Sequence, residues 1–333
     1  MKLETRIDYI PETLLKKSIP EDNGINSLLL KELHDDIKNK FPHITSALVL
    51  RHGNIIFEEY YNGATVDSLH QIRSATKSIF SALIGIAIKE GDLQDVEVKA
   101  VDFFPEYVTP EMDARINNIS LKHLLTMTSG IPYDFMMYMQ WLQWIQFDNP
   151  IEGLFTETLE SQPGDKFNYN DPGVHMLSAI LSKASKVKAS DYAEKYLFNE
   201  LGINNYAWPT DSHGNNIGCA ELILRTRDMA KFGQLYLNKG KWKDKQIIPL
   251  GWIEQSTTAQ TEGGAPRGER YGYLWWITRI EDYSVYYAFG FGGQLIYVVP
   301  GLDIVTVITS DLHGPHLENK TIEGKYIIPA VIK

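Results

Sequence analysis

From Ile25 to Phe41, apolar residues recur at helical spacing (Leu30, Leu33, Ile37, Phe41) with Lys, Glu and Asp between them, predicting an amphipathic helix. Ile44–Leu50 and Ile55–Tyr61, joined by a His52-Gly53-Asn54 turn, read as a β-hairpin. Ser78–Ile88 is different. Bulky residues (Ile79, Phe80, Leu83, Ile84, Ile86, Ile88) are mixed with small ones, and no charge interrupts them. Apolar groups on nearly every face predict a helix buried all round, with Gly91 after Lys89 and Glu90 as its stop. Residues 93–240 predict further helices broken by Pro-Gly pairs. Among them are an amphipathic helix running into a polar turn over Ile119–Gly130, Gly173–Ala184 opened by Asp171 as N-cap with Pro172 at N1, and Thr226–Leu237 capped by Thr226. Beyond residue 245 the pattern turns to strands. Tyr271–Ile277, Val285–Phe289, Gln294–Val299 and Ile304–Thr309 are separated by Gly-rich and Pro-Gly turns, as in an antiparallel meander. Residues 1–23 look irregular, and Lys325–Ile332 reads as a short helix or strand.

Strands at both ends thus bracket a helical middle. The expected class is α+β: an antiparallel sheet built from residues 1–92 and 241–333 with flanking helices, and an inserted helix-rich lobe, 93–240. The active site would lie between them. Composition adds exclusions. The 333 residues are 44% hydrophobic and 22% charged, ordinary for a globular chain with a large core. Net charge is −10 and no Lys/Arg-rich block occurs, which argues against nucleic acid as a partner. A single cysteine, Cys219, leaves no intrachain disulfide and no cysteine-based metal site. The first residues carry charges where a signal peptide needs an apolar segment, and no apolar run reaches the ~18 residues of a spanning helix. A cytoplasmic protein without membrane contact is the expectation.

At the front of the charge-free helix stand Ser74 and Lys77, three residues apart and so on one helical face. A hydroxyl and an amine at a helix N-terminus combine a nucleophile, a nearby base and N–H groups that favour developing negative charge. Spacing alone is weak, since about one Ser-x-x-Lys is expected by chance in such a chain. Ser185-Lys-Val-Lys188 also matches, but within a polar run that reads as a solvated helix end.

Two further stretches make the set specific: the loop Phe167-Asn-Tyr169-Asn170-Asp171, and Ala288-Phe-Gly290-Phe291-Gly-Gly-Gln294 in the C-terminal strands. Together with Ser74-x-x-Lys77 they resemble the serine β-lactamase/DD-peptidase superfamily, with its Ser-x-x-Lys, Tyr-x-Asn and Lys/His-x-Gly elements. The resemblance is to the class C branch, which includes penicillin-binding-like esterases and 6-aminohexanoate-dimer hydrolases. Supporting stretches are Leu124–Gly130, Pro163–Tyr169 and Thr226–Gly233, and the likeness runs from about residue 44 to 311.

The resemblance implies acyl transfer through an acyl-enzyme. Ser74 would be the nucleophile, Lys77 and Tyr169 would share general base and acid roles, and the N–H groups of Ser74 and Phe291 would form the oxyanion hole beside Gly290. It implies no cofactor. Two departures shape the substrate expectation. Asp171 stands where the family has an amide; it is placed to pair with Lys77, favouring the ammonium, and Asn170 could compensate for the amide. Ala288 stands where the family has a cation that binds a substrate carboxylate. The expected substrate is therefore a small-molecule ester or amide with an uncharged or apolar acyl part, with β-lactamase activity weak or absent. Tyr133–Phe147, dense in Met, Trp, Tyr and Gln, reads as a packed helix or a substrate-facing wall with Trp141 and Trp144 as contacts.

Other chemistries lack their motifs. There is no Gly-x-Ser-x-Gly, no His-Glu-x-x-His and no phosphate loop, and His313-Gly-Pro-His316 is a weak zinc candidate. The rival outside enzymes is a non-catalytic ligand-binding or scaffold protein on the same fold. The rival within them is a true β-lactamase or D-Ala peptidase.

Overall fold

The structure is a computed structural model that describes residues 5–7, 15–134, 136, 144–145, 148–312 and 319–332. Fifteen strands are present among them: β1 (Thr5–Ile7), β2 (Lys16–Lys17), β3 (Ile44–Arg51), β4 (Asn54–Tyr60), β5 (Leu69–Gln71), β6 (Asn205–Ala207), β7 (Ile223–Arg225), β8 (Lys241–Trp242), β9 (Lys245–Gln246), β10 (Thr261–Gly264), β11 (Glu269–Tyr271), β12 (Trp276–Ile280), β13 (Tyr283–Gly290), β14 (Gln294–Val299) and β15 (Ile304–Ser310). The main sheet runs β10-β11-β12-β13-β14-β15-β3-β4-β2 and is antiparallel except for β2 beside β4. It is an α+β architecture. The join that closes it is β15 on β3, in register from Ile304 opposite Arg51 to Thr309 opposite Ser46, uniting the two chain ends.

β14 and β15 are buried at every residue, so the middle of the sheet is covered on both faces. The Thr226–Leu237 helix packs over β14, β15 and β3. On the outside, the Ser27–Lys40 helix meets the C-terminal turn Glu323–Ile327 through Asp36, whose carboxylate accepts from Lys40 (2.9 Å), Lys325 (3.0 Å) and the Tyr326 hydroxyl. These partners hold the Asp36 carboxyl below the usual carboxylate range.

The charge-free stretch forms the Thr76–Glu90 helix, and every residue from Thr76 to Ala87 is buried. Gly91 closes it in the left-handed region (φ 83°), its N–H returning to the carbonyls of Ala87 and Ile88. Each of Ile79, Phe80, Leu83 and Ile84 is wholly buried, a gain of about 1.5–3 kcal/mol per side chain.

Several boundaries differ from the pattern's expectation. The predicted strand Tyr271–Ile277 is interrupted: β11 ends at Tyr271 and β12 begins at Trp276, with Leu274 at φ 60° turning the chain between them. Ile119–Gly130 does run from a helix into a turn, the helix covering Leu121–Leu125 before Met127 (φ 60°) and Gly130 (φ 81°) turn the backbone back. Arg225, in extended conformation, precedes the first turn of Thr226–Leu237. Thr226 instead exchanges a hydroxyl hydrogen bond with Ser46 (2.7 Å). The C-terminus is a helical turn, Glu323–Ile327. A small sheet, β1-β6-β7-β5, was not anticipated and joins residues 5–7 and 69–71 to the middle of the chain. Among the described residues no helix is long and apolar enough to cross a membrane.

Candidate active site

Ser74 lies in a single 3₁₀ turn, Arg73–Ala75, that feeds directly into the Thr76–Glu90 helix. Arg73 is held at φ 50°, a conformation costing about 1–2 kcal/mol for a non-glycine residue. Its neighbours over-determine it. The Ile72 N–H bonds Leu222 O (2.9 Å), the Thr76 hydroxyl bonds Arg73 O (2.6 Å), and the Arg73 guanidinium lies 3.3 Å from Glu221. The position of Ser74 is thus fixed by the backbone around it.

Lys77 is one turn further on and is 1% exposed. Its ammonium donates to Ser74 Oγ (2.9 Å) and Cys219 O (2.8 Å), and lies 2.6 Å from Asp171 Oδ1. It also sits 4.8 Å above the centre of the Tyr169 ring. Burial alone would pull the amine's pKa down, but the Asp171 carboxylate reverses this and holds it above the ordinary lysine range. Lys77 is therefore an ammonium at rest. Tyr169 is also buried; its hydroxyl interacts with both Ser74 and Lys77, and burial raises its pKa while the Lys77 charge opposes that rise.

The Tyr169 loop is clamped from two sides. Its ring stacks on Trp276 (5.7 Å, 20°) and meets Tyr271 edge-on (6.3 Å), while Phe167 packs against both. The turn after Leu121–Leu125 holds the backbone: Asn168 N–H bonds Met127 O (2.8 Å), and the Asn170 amide donates to Ile131 O (2.8 Å). Asn170, not Asp171, is the N-cap of the Asp171–Ser185 helix, accepting from Gly173 N–H at 2.8 Å. This corrects the expected cap by one residue and has a physical consequence. Asp171, freed from capping, faces Lys77, and its other oxygen accepts from the Tyr133 hydroxyl (3.0 Å).

The third motif closes the site. β12 pairs with β13 from Tyr283 to Tyr287, and β13 runs on to Gly290 beside β14. The end of β13 lies against the Arg73–Ala75 turn, since a Cβ at Gly290 would stand 2.2 Å from Ile72 O and 3.1 Å from Arg73 Cβ. Phe291, just beyond, is 55% exposed, and Ala288 is buried. The candidate residues Ser74, Lys77, Tyr169, Asp171 and Gly290 are thus gathered at one place, with Asn170 as the cap behind them. Trp144 is not a wall residue. It is buried, with its indole N–H on Pro150 O and its ring edge-on to His175. Trp141, His313 and His316 lie outside the described residues.

Three contributors escaped sequence reasoning: Tyr133 on Asp171, the Cys219 carbonyl on Lys77, and Trp276 under Tyr169. Tyr133 gave a faint signal through its aromatic-rich stretch, whereas a backbone carbonyl gives none. The Cys219 thiol itself is fully buried, and burial pushes its pKa well up, away from thiolate chemistry.

The Beta-lactamase family profile matches residues 44–323, spanning all of these elements. The chain belongs to the beta-lactamase family. A relative within the curated proteins is the 6-aminohexanoate-dimer hydrolase of Paenarthrobacter ureafaciens, 25% identical over 292 residues covering 80% of this chain and 72% of that one. Among solved structures, the octameric penicillin-binding protein homologue from Pyrococcus abyssi shares the fold at TM-score 0.70 and 20% identity, over 87% of this chain and 74% of that one. A family VIII carboxylesterase does so at TM-score 0.72 and 15% identity, over 94% and 98%. The names of these similar proteins thus include a hydrolase and a carboxylesterase.

Proposed function

We propose that this beta-lactamase-family protein is a metal-independent serine hydrolase that cleaves a small-molecule ester or amide through an acyl-enzyme on Ser74. The observation that carries the reading is the convergence on the Ser74 hydroxyl of the buried Lys77 ammonium (2.9 Å) and the Tyr169 hydroxyl. The names of related proteins, a 6-aminohexanoate-dimer hydrolase and a lovastatin esterase, support amide and ester substrates alike.

In the proposed cycle Ser74 Oγ attacks the substrate carbonyl carbon as its proton leaves. The tetrahedral oxyanion is held by the N–H groups of Ser74 and Phe291, a type of contact that contributes about 3–4 kcal/mol per donor. The C–O or C–N bond then breaks, the leaving group takes a proton from Tyr169, and water releases the acyl group by the reverse route. Lys77 and Tyr169 titrate as one unit. With Asp171 against Lys77, the proton missing from the active form is drawn from Tyr169, so the phenolate is the base and Lys77 the charge that stabilises it.

Ala288 weighs against efficient action on penicillins or D-Ala-D-Ala peptides, because no cation stands at that place on β13. Intact-mass measurement after separate exposure to 4-nitrophenyl acetate, a fluorophosphonate and benzylpenicillin tests the reading. The expected result is an adduct from the first two that disappears in Ser74→Ala, with little from the third. No adduct on a folded protein would favour the non-catalytic alternative; ready acylation by penicillin would favour the β-lactam one.

A further inference from the structure

Two non-glycine residues in the left-handed region are joined by an ion pair beside Ser74. Arg73 (φ 50°) immediately precedes Ser74, and Glu221 (φ 70°) stands two residues after Cys219, whose carbonyl accepts from the Lys77 ammonium. Neither conformation is favourable on its own, so each must be held by its surroundings. Part of that hold is mutual. The Arg73 guanidinium donates to Glu221 Oε1 at 3.3 Å, and the Gln71 amide donates to the other oxygen. Only 22% and 12% of the two charged side chains is exposed, so solvent and salt screen the pair weakly.

The pair joins two segments that are stitched elsewhere as well. Ile72 N–H donates to Leu222 O (2.9 Å). Leu222 N–H donates to the Thr76 hydroxyl (3.3 Å), which in turn donates to Arg73 O (2.6 Å). Gln71 and Ile223 are register partners in β5 and β7, so the stitching continues the small sheet into the site. One segment thus carries Ser74, and the other carries the carbonyl that fixes the Lys77 ammonium 2.9 Å from Ser74 Oγ. We propose that Glu221 and Arg73 are positioning residues for hydrolysis, their ion pair clasping the Ser74 turn to the Cys219 carbonyl so that hydroxyl and ammonium are set in place together. The proposal rests on the hydrolase reading above. The clasp acts on geometry. Burial, Asp171 and their own mutual contact govern the protons of Lys77 and Tyr169.

Two rates test it: kcat/KM for 4-nitrophenyl acetate and the rate constant for fluorophosphonate labelling. Both are expressed per Ser74 labelled at the end point, which removes any unfolded fraction from the comparison. Glu221→Gln keeps the side chain's shape without its charge and should lower both by about tenfold or more, as a displaced reacting group does. The rising limb of its pH profile should stay where it is in the wild type. Glu221→Gly adopts φ 70° freely but has no carboxylate, so it should be as slow as Glu221→Gln. Arg73→Lys should recover much of the rate lost in Arg73→Ala. The double variant Arg73→Ala with Glu221→Ala should be no slower than the slower single one, because both remove the same contact. Unchanged rates in Glu221→Gln, a displaced limb, full activity in Glu221→Gly or additive losses would each overturn the proposal. If the wild type neither turns over nor labels, the hydrolase reading fails and takes the catalytic role with it. Amide hydrogen exchange then reads the clasp alone: in Glu221→Gln, residues 72–77 and 219–222 should lose protection together, and unchanged protection in either segment removes the clasp.

Discussion

Asp171 is the residue on which the site's proton inventory turns. An amide at that position would leave Lys77 with only neutral partners, whereas a carboxylate 2.6 Å away holds it charged despite complete burial. At a separation of a few ångströms such a pair interacts by about 4 kcal/mol even at an effective dielectric of 20. Removing the carboxylate makes the neutral amine easier to reach and also relieves the charge opposing ionisation of Tyr169. Both changes lower the pH at which the Lys77–Tyr169 pair sheds a proton. In Asp171→Asn the rising limb of kcat/KM against pH should therefore move down by about one unit or more. A pH–rate profile with 4-nitrophenyl acetate checks this, and a stationary limb would remove Asp171 from control of the base. Tyr133, donating to the far oxygen, positions Asp171, so Tyr133→Phe should give a smaller shift in the same profile.

At the scale of elements, the site depends on a close approach between the Arg73–Ala75 turn and β13. Glycine at 290 allows it, because any Cβ there would overlap Ile72 O at 2.2 Å and crowd the Gln294 side chain at 2.9 Å. Backbone oxygen cannot rotate away as a side chain could. Gly290→Ala should therefore separate strand and turn, lowering kcat/KM by roughly 100-fold, the scale associated with a misplacement of about 1 Å. Ester kinetics together with circular dichroism check it, since the fold should persist while activity falls. The Thr76–Glu90 helix carries no charge between Lys77 and Lys89 because every residue from Thr76 to Ala87 is buried, so a second ionised group there would lack a partner.

At the scale of the molecule, Glu323 is a buried carboxyl that lies outside the candidate chemistry. Glu323, on the C-terminal turn over β15, is wholly buried, and neither carboxylate oxygen has a hydrogen-bond partner at full geometry among the described residues. Burial raises its pKa to about 7, with Thr306 only partly offsetting this. The folded protein thus binds this proton more tightly than the unfolded chain does. The resulting stability is complete below about pH 4.5 and is lost as pH rises through about 7, an effect on the order of 3 kcal/mol. Glu323→Gln should remove that component, so that urea denaturation at pH 5 and pH 8 shows a smaller loss of stability in the variant than in the wild type.

The same division of scales explains what could be read in advance. The charge-free run located the buried helix, and apolar segments set between turn residues located the β13–β15 meander and the hairpin at 44–61, because burial restricts the residue types a segment can carry. Ser74, Lys77 and Tyr169 were legible for a similar reason: each sits at a local structural signal, a helix start or a pre-helix loop. The cap at Asn170 rather than Asp171 was not legible. Both are good caps, and only the position of Lys77, 94 residues earlier in the chain, decides which one is better used elsewhere. The carbonyl of Cys219, the hydroxyl of Tyr133 and the Arg73–Glu221 ion pair likewise became visible only in three dimensions. The sequence by itself determined which segments must be buried and which chemical groups are available. Tertiary structure decided which groups meet, because contacts between residues far apart in the chain leave no periodic trace in it.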